Sequence, residues 1–232
     1  MVNLRRKTSL AAGVLYLLTF VSMPTLVLYG PVKTAGYILG AGPDTGVLFG
    51  AILEIIVALA GIGTAVALFP VLKRQNEGIA MAFVGNRALE AATIFAGVVC
   101  LLTVVSLRQA GAGPDALVTS HTLVAMYNRT FLIGQSFLPA VNDLLLGILL
   151  YQSRLVPRVL PMLALIGVPL LVAGDLAALF GLVGTSQAAI TALPIALFEF
   201  SLGVWLTVKG FSRAPILAVD SRDAFVTATV TS

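Results

Sequence analysis

The sequence predicts an all-α integral membrane bundle of six helices, and three observations lead there. Only 10% of the 232 residues are charged, whereas water-soluble domains carry about a quarter. Hydrophobic residues make up 59% of the chain, and its mean hydropathy is +1.03. Three runs, Thr8 to Val32, Ile55 to Leu72 and Ala91 to Leu107, hold no acidic or basic side chain. Each approaches or exceeds the roughly 18 to 20 residues that cross a bilayer as a helix.

Hydropathy and turn residues place the spans in order. The first, near 9–29, follows Arg5, Arg6 and Lys7 and ends at Gly30 and Pro31. Its apolar run is long for the core of a signal peptide and no clear A-x-A site follows, so it reads as a retained helix. The connector "PVKTAGYILGAGPDTG" (31 to 46) leads to the second span, near 46–71, which "PVLKRQNEG" (70 to 78) separates from the third, near 79–107. "RQAGAGPDALVTSHT" (108 to 122) precedes the fourth, near 123–151. That span is the least regular, because the apolar stretch Thr119 to Met126 before Arg129 also suits a separate interfacial turn. "QSRLVPRVLP" (152 to 161) and "GLVGTSQ" (181 to 187) introduce the fifth, near 158–181, and the sixth, near 187–209. Residues 1–211 thus form one six-helix transmembrane domain and 212–232 a short tail.

Basic residues near the span ends set the orientation. With the N-terminus cytoplasmic, ten of the 14 lie inside: Arg5, Arg6, Lys7, Lys73, Arg74, Arg154, Arg158, Lys209, Arg213 and Arg222. Lys33 and Arg108 lie outside, and Arg87 and Arg129 fall within spans. The expected topology is N-in and C-in. The formal charge of +4 then describes a basic rim suited to anionic lipid headgroups and gives no reason to expect nucleic acid as a partner.

Seven charged residues fall within the spans: Glu54, Arg87, Glu90, Arg129, Asp143, Asp175 and Glu199. Each costs about 2.5 to 3.5 kcal/mol at a helix centre, so seven facing lipid would cost roughly 17 to 25 kcal/mol. A folded protein is stable by only about 5 to 15 kcal/mol. These side chains are therefore expected to face protein or water, to pair, or, for the acids, to take up a proton. Spacing agrees: Gly46, Gly50 and Glu54 recur at i+4, as do Gln135, Pro139, Asp143 and Gly147 with Asn142 beside them, and Glu199 precedes Gly203 by four. In "GNRALEAA" (85 to 92), Asn86 and Glu90 are four apart and Arg87 and Glu90 three apart, which allows an ion pair on an inward face. Such a pair can be nothing more than a packing device. Five acids against two arginines still leave three carboxyls without a basic partner.

At 1.5 Å per residue, Glu54 and Asp175 sit roughly a third of the way in from the outer face. Glu199 and the Arg87/Glu90 pair lie near mid-membrane, so a cavity opening outward is expected, with Arg129 as counter-ion to Glu54 and Asp175.

Other chemistries lack their parts. One histidine, His121 in an expected outer loop, and one cysteine, Cys100 in an apolar run, supply neither a zinc nor a haem site. The acids lie on five helices without a recognisable spacing for a carboxylate-only metal site, and no cofactor is expected. There is no P-loop and no G-x-S-x-G elbow. A three-plus-three inverted repeat would swap the depths of Glu54 and Asp175, which instead share the outer half.

The stretches "AGVLYLLTF" (12 to 20), "ALFPVLKRQNEGIAMAFVGNRALEAA" (67 to 92), "YQSRLVPRVL" (151 to 160) and "LPIALFEFSLGVWLTVKGF" (193 to 211) resemble the bacterial six-helix membrane proteins grouped as domain of unknown function 4386. The resemblance covers nearly the whole chain. It implies a multi-pass protein of the bacterial cytoplasmic membrane, and it implies no activity and no catalytic residue. Three readings of function follow: a small transporter or permeation protein with a polar core of Glu54, Asn86, Arg87, Glu90, Arg129, Asp143, Asp175 and Glu199, proton-linked through a carboxyl; a non-enzymatic scaffold or regulatory subunit; and a lipid-modifying enzyme. The substrate, a protein partner and a homo-oligomer all stay open.

Overall fold

A computed structural model describes residues 2–34, 36–184 and 188–212. Among them there are helices and turns and no strands, and six helical segments are long and apolar enough to cross a membrane: Arg5–Leu28, Thr45–Leu72, Glu77–Gln109, Gly113–Ser153, Val159–Leu179 and Ala189–Val208. The expected tail, 212–232, lies outside the described residues apart from Ser212, as do Gln187 at the start of the sixth expected span and the rim residues Arg213 and Arg222.

The first span is not one continuous helix. Helix α1 (Val2–Leu18) passes into a tight turn at Thr19–Ser22 and then a short helix α2 (Thr25–Leu28). Pro24 has no N–H to continue the ladder, and the hydroxyls of Thr19 and Thr25 donate to the carbonyls of Tyr16 and Ser22, both at 2.6 Å. Helices α3 (Thr45–Leu72) and α4 (Glu77–Gln109) form a long hairpin. Its turn ends where the Asn76 side chain accepts from the Ile79 N–H at 3.0 Å and caps α4.

The fourth span departs most from expectation. Helix α5 (Leu117–Leu132), a π-helical turn (Ile133–Phe137) and helix α6 (Leu138–Ser153) run on without a break. There is no separate interfacial turn, and His121, expected in a loop, is an exposed residue of α5. Pro139 explains the π turn: it has no N–H for the Gln135 carbonyl, and the Leu138 N–H reaches back to Ile133. Helices α7 (Val159–Leu179) and α8 (Leu193–Val208) complete the bundle.

Close crossings order these helices. At Gly13 a methyl group would lie 2.6 Å from the Thr207 nitrogen and 2.8 Å from the Gly203 oxygen, so α1 and α8 meet backbone to backbone. On α3, Gly50 leaves room for the Tyr29 ring, whose nearest atom is 2.5 Å from where a Cβ would stand. Tyr16, Leu68, Phe83, Leu146, Leu149 and Phe198 fill the half of the core near Lys7, Lys73 and Lys209, the basic face. Tyr29, Val104 and Tyr127 fill the half near Lys33, Asp44 and Arg108, the distal face. Large apolar side chains such as Leu26, Leu59, Val99 and Leu197 point outward, as acyl chains require. Cys100 is a buried free thiol.

A polar core around Arg87

Of the seven charged residues expected inside the spans, the fold turns six inward. Glu54, Arg87, Glu90, Asp143 and Asp175 are buried, and Glu199 keeps 17% of its side chain exposed. Arg129 is the exception. It is exposed on α5 and forms no ion pair among the described residues, so it is no counter-ion to Glu54 or Asp175. Helix length gives the reason: Arg129 is 24 residues from Ser153, about 36 Å along the axis, and the hydrocarbon layer is only about 30 Å thick. A helix that starts at the basic face with Ser153 is thus already longer than that layer when it reaches Arg129.

The centre of the core is Arg87 on α4. One terminal nitrogen donates to both oxygens of Glu90, at 3.0 and 3.2 Å. The other donates to Glu199 on α8 and to the Tyr16 hydroxyl on α1, both at 3.2 Å. Its Nε has no acceptor among the described residues. The rings of Tyr16 and Phe83 lie 5.5 and 5.7 Å from the guanidinium carbon, within cation–π range. Glu90 also accepts from the Asn142 amide at 2.5 Å, and Asn142 in turn accepts from Asn86 at 2.8 Å. Asn86 bonds the Leu138 carbonyl as well, which ties α4 to the start of α6. Four of the six spans therefore meet at one guanidinium and its partners.

Asp143, one residue beyond Asn142, is fully buried, and neither of its oxygens has a hydrogen-bond partner among the described residues. It lies within electrostatic reach of Arg87, Glu90 and Glu199.

Toward the distal face a second group centres on Glu54. Its Oε1 accepts from the Tyr127 hydroxyl at 2.8 Å and from the Gln135 amide at 3.1 Å. Its Oε2 and the Tyr29 hydroxyl are buried without a partner among the described residues. The Tyr29 and Tyr127 rings meet edge to face at 5.4 Å, and the Lys33 ammonium lies 4.9 Å over the Tyr127 ring. Asp175 accepts from the Ser136 hydroxyl at 2.6 Å. Neither Tyr16 nor Tyr127 was expected in the core; Tyr16 carries a hydroxyl in the middle of an apolar stretch, a signal that could have found it, whereas Tyr127 stands where an apolar run gives way to Asn128 and Arg129.

A cavity of about 210 Å³ joins the two groups. Arg87, Glu90 and Glu199 line it from one side, and Gln135 and Ser136 of the π turn line it from the other. Its walls reach Ser22 and Met23 at the break in the first span and Ala192 near the start of the last. Glu54 and Asp175, expected to line the cavity, sit behind Gln135 and Ser136 and touch it only through those side chains.

The loops of the distal face close over their own network. Asp44 accepts from Tyr37 at 2.6 Å, from Arg108 at 2.8 Å and from Gln109 at 3.0 Å. Arg108 also donates to the Gly40 and Gly42 carbonyls and lies over the Tyr37 ring. The Tyr37 hydroxyl, then Gln109 and Arg108, hold the Asp44 carboxyl below its usual range. Burial, and then the bond to Asp44, push the Tyr37 hydroxyl up to about 12.

Six apolar helices around a buried polar core define a multi-span helical membrane protein. Residues 11–210 match the family described as domain of unknown function (DUF4386), and the chain belongs to that family. No curated protein and no solved structure matches it.

Proposed function

We propose that this protein is a small transporter or permeation protein of the bacterial cytoplasmic membrane, with both termini cytoplasmic, in which a carboxyl of the polar core takes up and releases a proton. The cavity between Arg87, Glu90 and Glu199 and the π turn carries this reading, because a bundle built only to hold itself together has no use for an ionic surface facing open space. The ten-to-two split of basic residues supports the orientation, and the family resemblance supports the bacterial setting. Gln135 and Ser136 connect the cavity to Glu54 and Asp175 by hydrogen bonds; the Ser136 hydroxyl can relay a proton to Asp175, while the Gln135 amide holds Glu54 in place.

Reconstituted liposomes test the proposal. Under an imposed membrane potential, wild-type protein passes protons faster than empty liposomes, read by an enclosed pH-sensitive dye. Glu199→Gln and Glu54→Gln each abolish that flux while remaining monodisperse and helical. Full flux in both variants would eliminate the proton-linked version, and no wild-type flux at all would favour a scaffold.

A further inference from the structure

The charge and the walls of the cavity specify what fits it. Arg87 is the only basic residue on its lining among the described residues, and its two terminal nitrogens are already taken by Glu90, Glu199 and Tyr16. Two carboxylates share the lining with it, and Asp143, without a partner of its own, lies close behind. The floor therefore carries an excess of acid. Of these three acids Glu199 is the most open, and only its Oε1 is engaged, leaving the second oxygen without a bond among the described residues.

Much of the remaining lining is apolar, with Phe20, Met23, Val57, Ile94, Leu171 and Ile195 beside the hydroxyls of Thr19, Ser22 and Ser136 and the Gln135 amide. Phe20 is held edge to face against Phe200 at 5.6 Å, so its ring is fixed as a π surface for a cation. A bare metal ion is a poor fit, since no group of three or more ligating side chains converges among the described residues. An anion would find its one cation already engaged. At about 210 Å³ the space is smaller than the roughly 300 to 1,000 Å³ sites of drug-sized ligands, which limits the occupant to a fragment.

We propose that the ligand of this cavity is a small amphipathic organic cation, an apolar body bearing one amine or quaternary ammonium, seated with its charge beside Glu199 and its body among Phe20, Leu171 and Ile195. The proposal rests on the transport reading and adds the substrate class to it.

The test is equilibrium binding to the full-length protein in lipid nanodiscs, corrected with empty nanodiscs. The probes are benzyltrimethylammonium, benzyl alcohol as a neutral analogue and phenylacetate as an anionic one. The cation binds saturably and at least about tenfold more tightly than either analogue, a difference that a single ionic contact supplies. Glu199→Gln weakens it about tenfold or more. Ala196→Phe, which places a ring in the cavity wall and changes no charge, does the same and carries the test should Glu199→Gln fail to fold. Equal or tighter binding of phenylacetate or benzyl alcohol would overturn the proposal, as would cation binding that Ala196→Phe leaves unchanged. Proton flux without saturable cation binding refutes this ligand and leaves the transport reading standing. Cation binding without flux does the reverse.

Discussion

Replacing Arg87 by alanine removes the one positive charge that several buried groups share. Glu90 loses both of its bonds to the guanidinium and keeps only the amide of Asn142, while Glu199 and the Tyr16 hydroxyl lose their contacts to α4. Breaking a buried ion pair from one side costs about 3 to 5 kcal/mol, because the remaining charge is left in a poor solvent. Arg87→Ala is expected to fall in that range. Adding Glu90→Gln removes the more deeply buried of the two stranded charges, and the new amide oxygen still accepts from Asn142. The double variant should therefore recover about 1 to 3 kcal/mol of the loss. Glu199 is not expected to need the same relief, since it borders the cavity and keeps water in reach. The assay is denaturant or thermal unfolding in one detergent, followed by helical circular dichroism and by monodispersity. A double variant no more stable than Arg87→Ala would refute the idea that a charged Glu90 is what the arginine compensates.

Two further outcomes follow from the distal half. Tyr127→Phe keeps the ring against Tyr29 and deletes one of the two donors to the buried Glu54 carboxyl; the unfolding midpoint should drop by about 1 to 3 kcal/mol equivalent, and an unchanged midpoint would show that Glu54 does not depend on that hydroxyl. Asp44 titrates below its ordinary value, so the stability it confers is complete above the unfolded value of about 3.9 and is lost only as the pH falls through the lower native one. Hydrogen exchange of residues 36–44 should stay slow down to about pH 4 and accelerate below it, and Asp44→Asn should remove that acid dependence.

The six spans and the inward facing of most ionic residues were legible in the sequence, because bilayer thickness fixes helix length and hydrocarbon makes an exposed charge too costly. The Arg87/Glu90 pair was legible for a local reason: three residues apart on a helix is a contact distance. Contacts between helices left no such trace. Nothing in "AGVLYLLTF" says that its tyrosine reaches Arg87, which is 71 positions away, and the approach of Asn142 to Glu90 depends on how α6 is turned. Arg129 lies within the fourth span as expected but faces outward, because hydropathy registers apolar length without registering which side of a helix a residue takes. The break in the first span and the π turn were both marked by prolines, Pro24 and Pro139, whose effect on side-chain direction needs coordinates to resolve.

The extra residue in the π turn has a consequence for the whole bundle. One residue corresponds to about 100° of rotation about a helix axis, so Tyr127 upstream and Asn142 downstream have azimuths that no regular helix would give together. Shortening Ile133–Phe137 by one residue would swing one of them away, leaving either Glu54 without its phenol or Glu90 without its carboxamide. The irregular turn thus sets the phase between two carboxylate environments, and it does so at the point where Gln135 and Ser136 face open space.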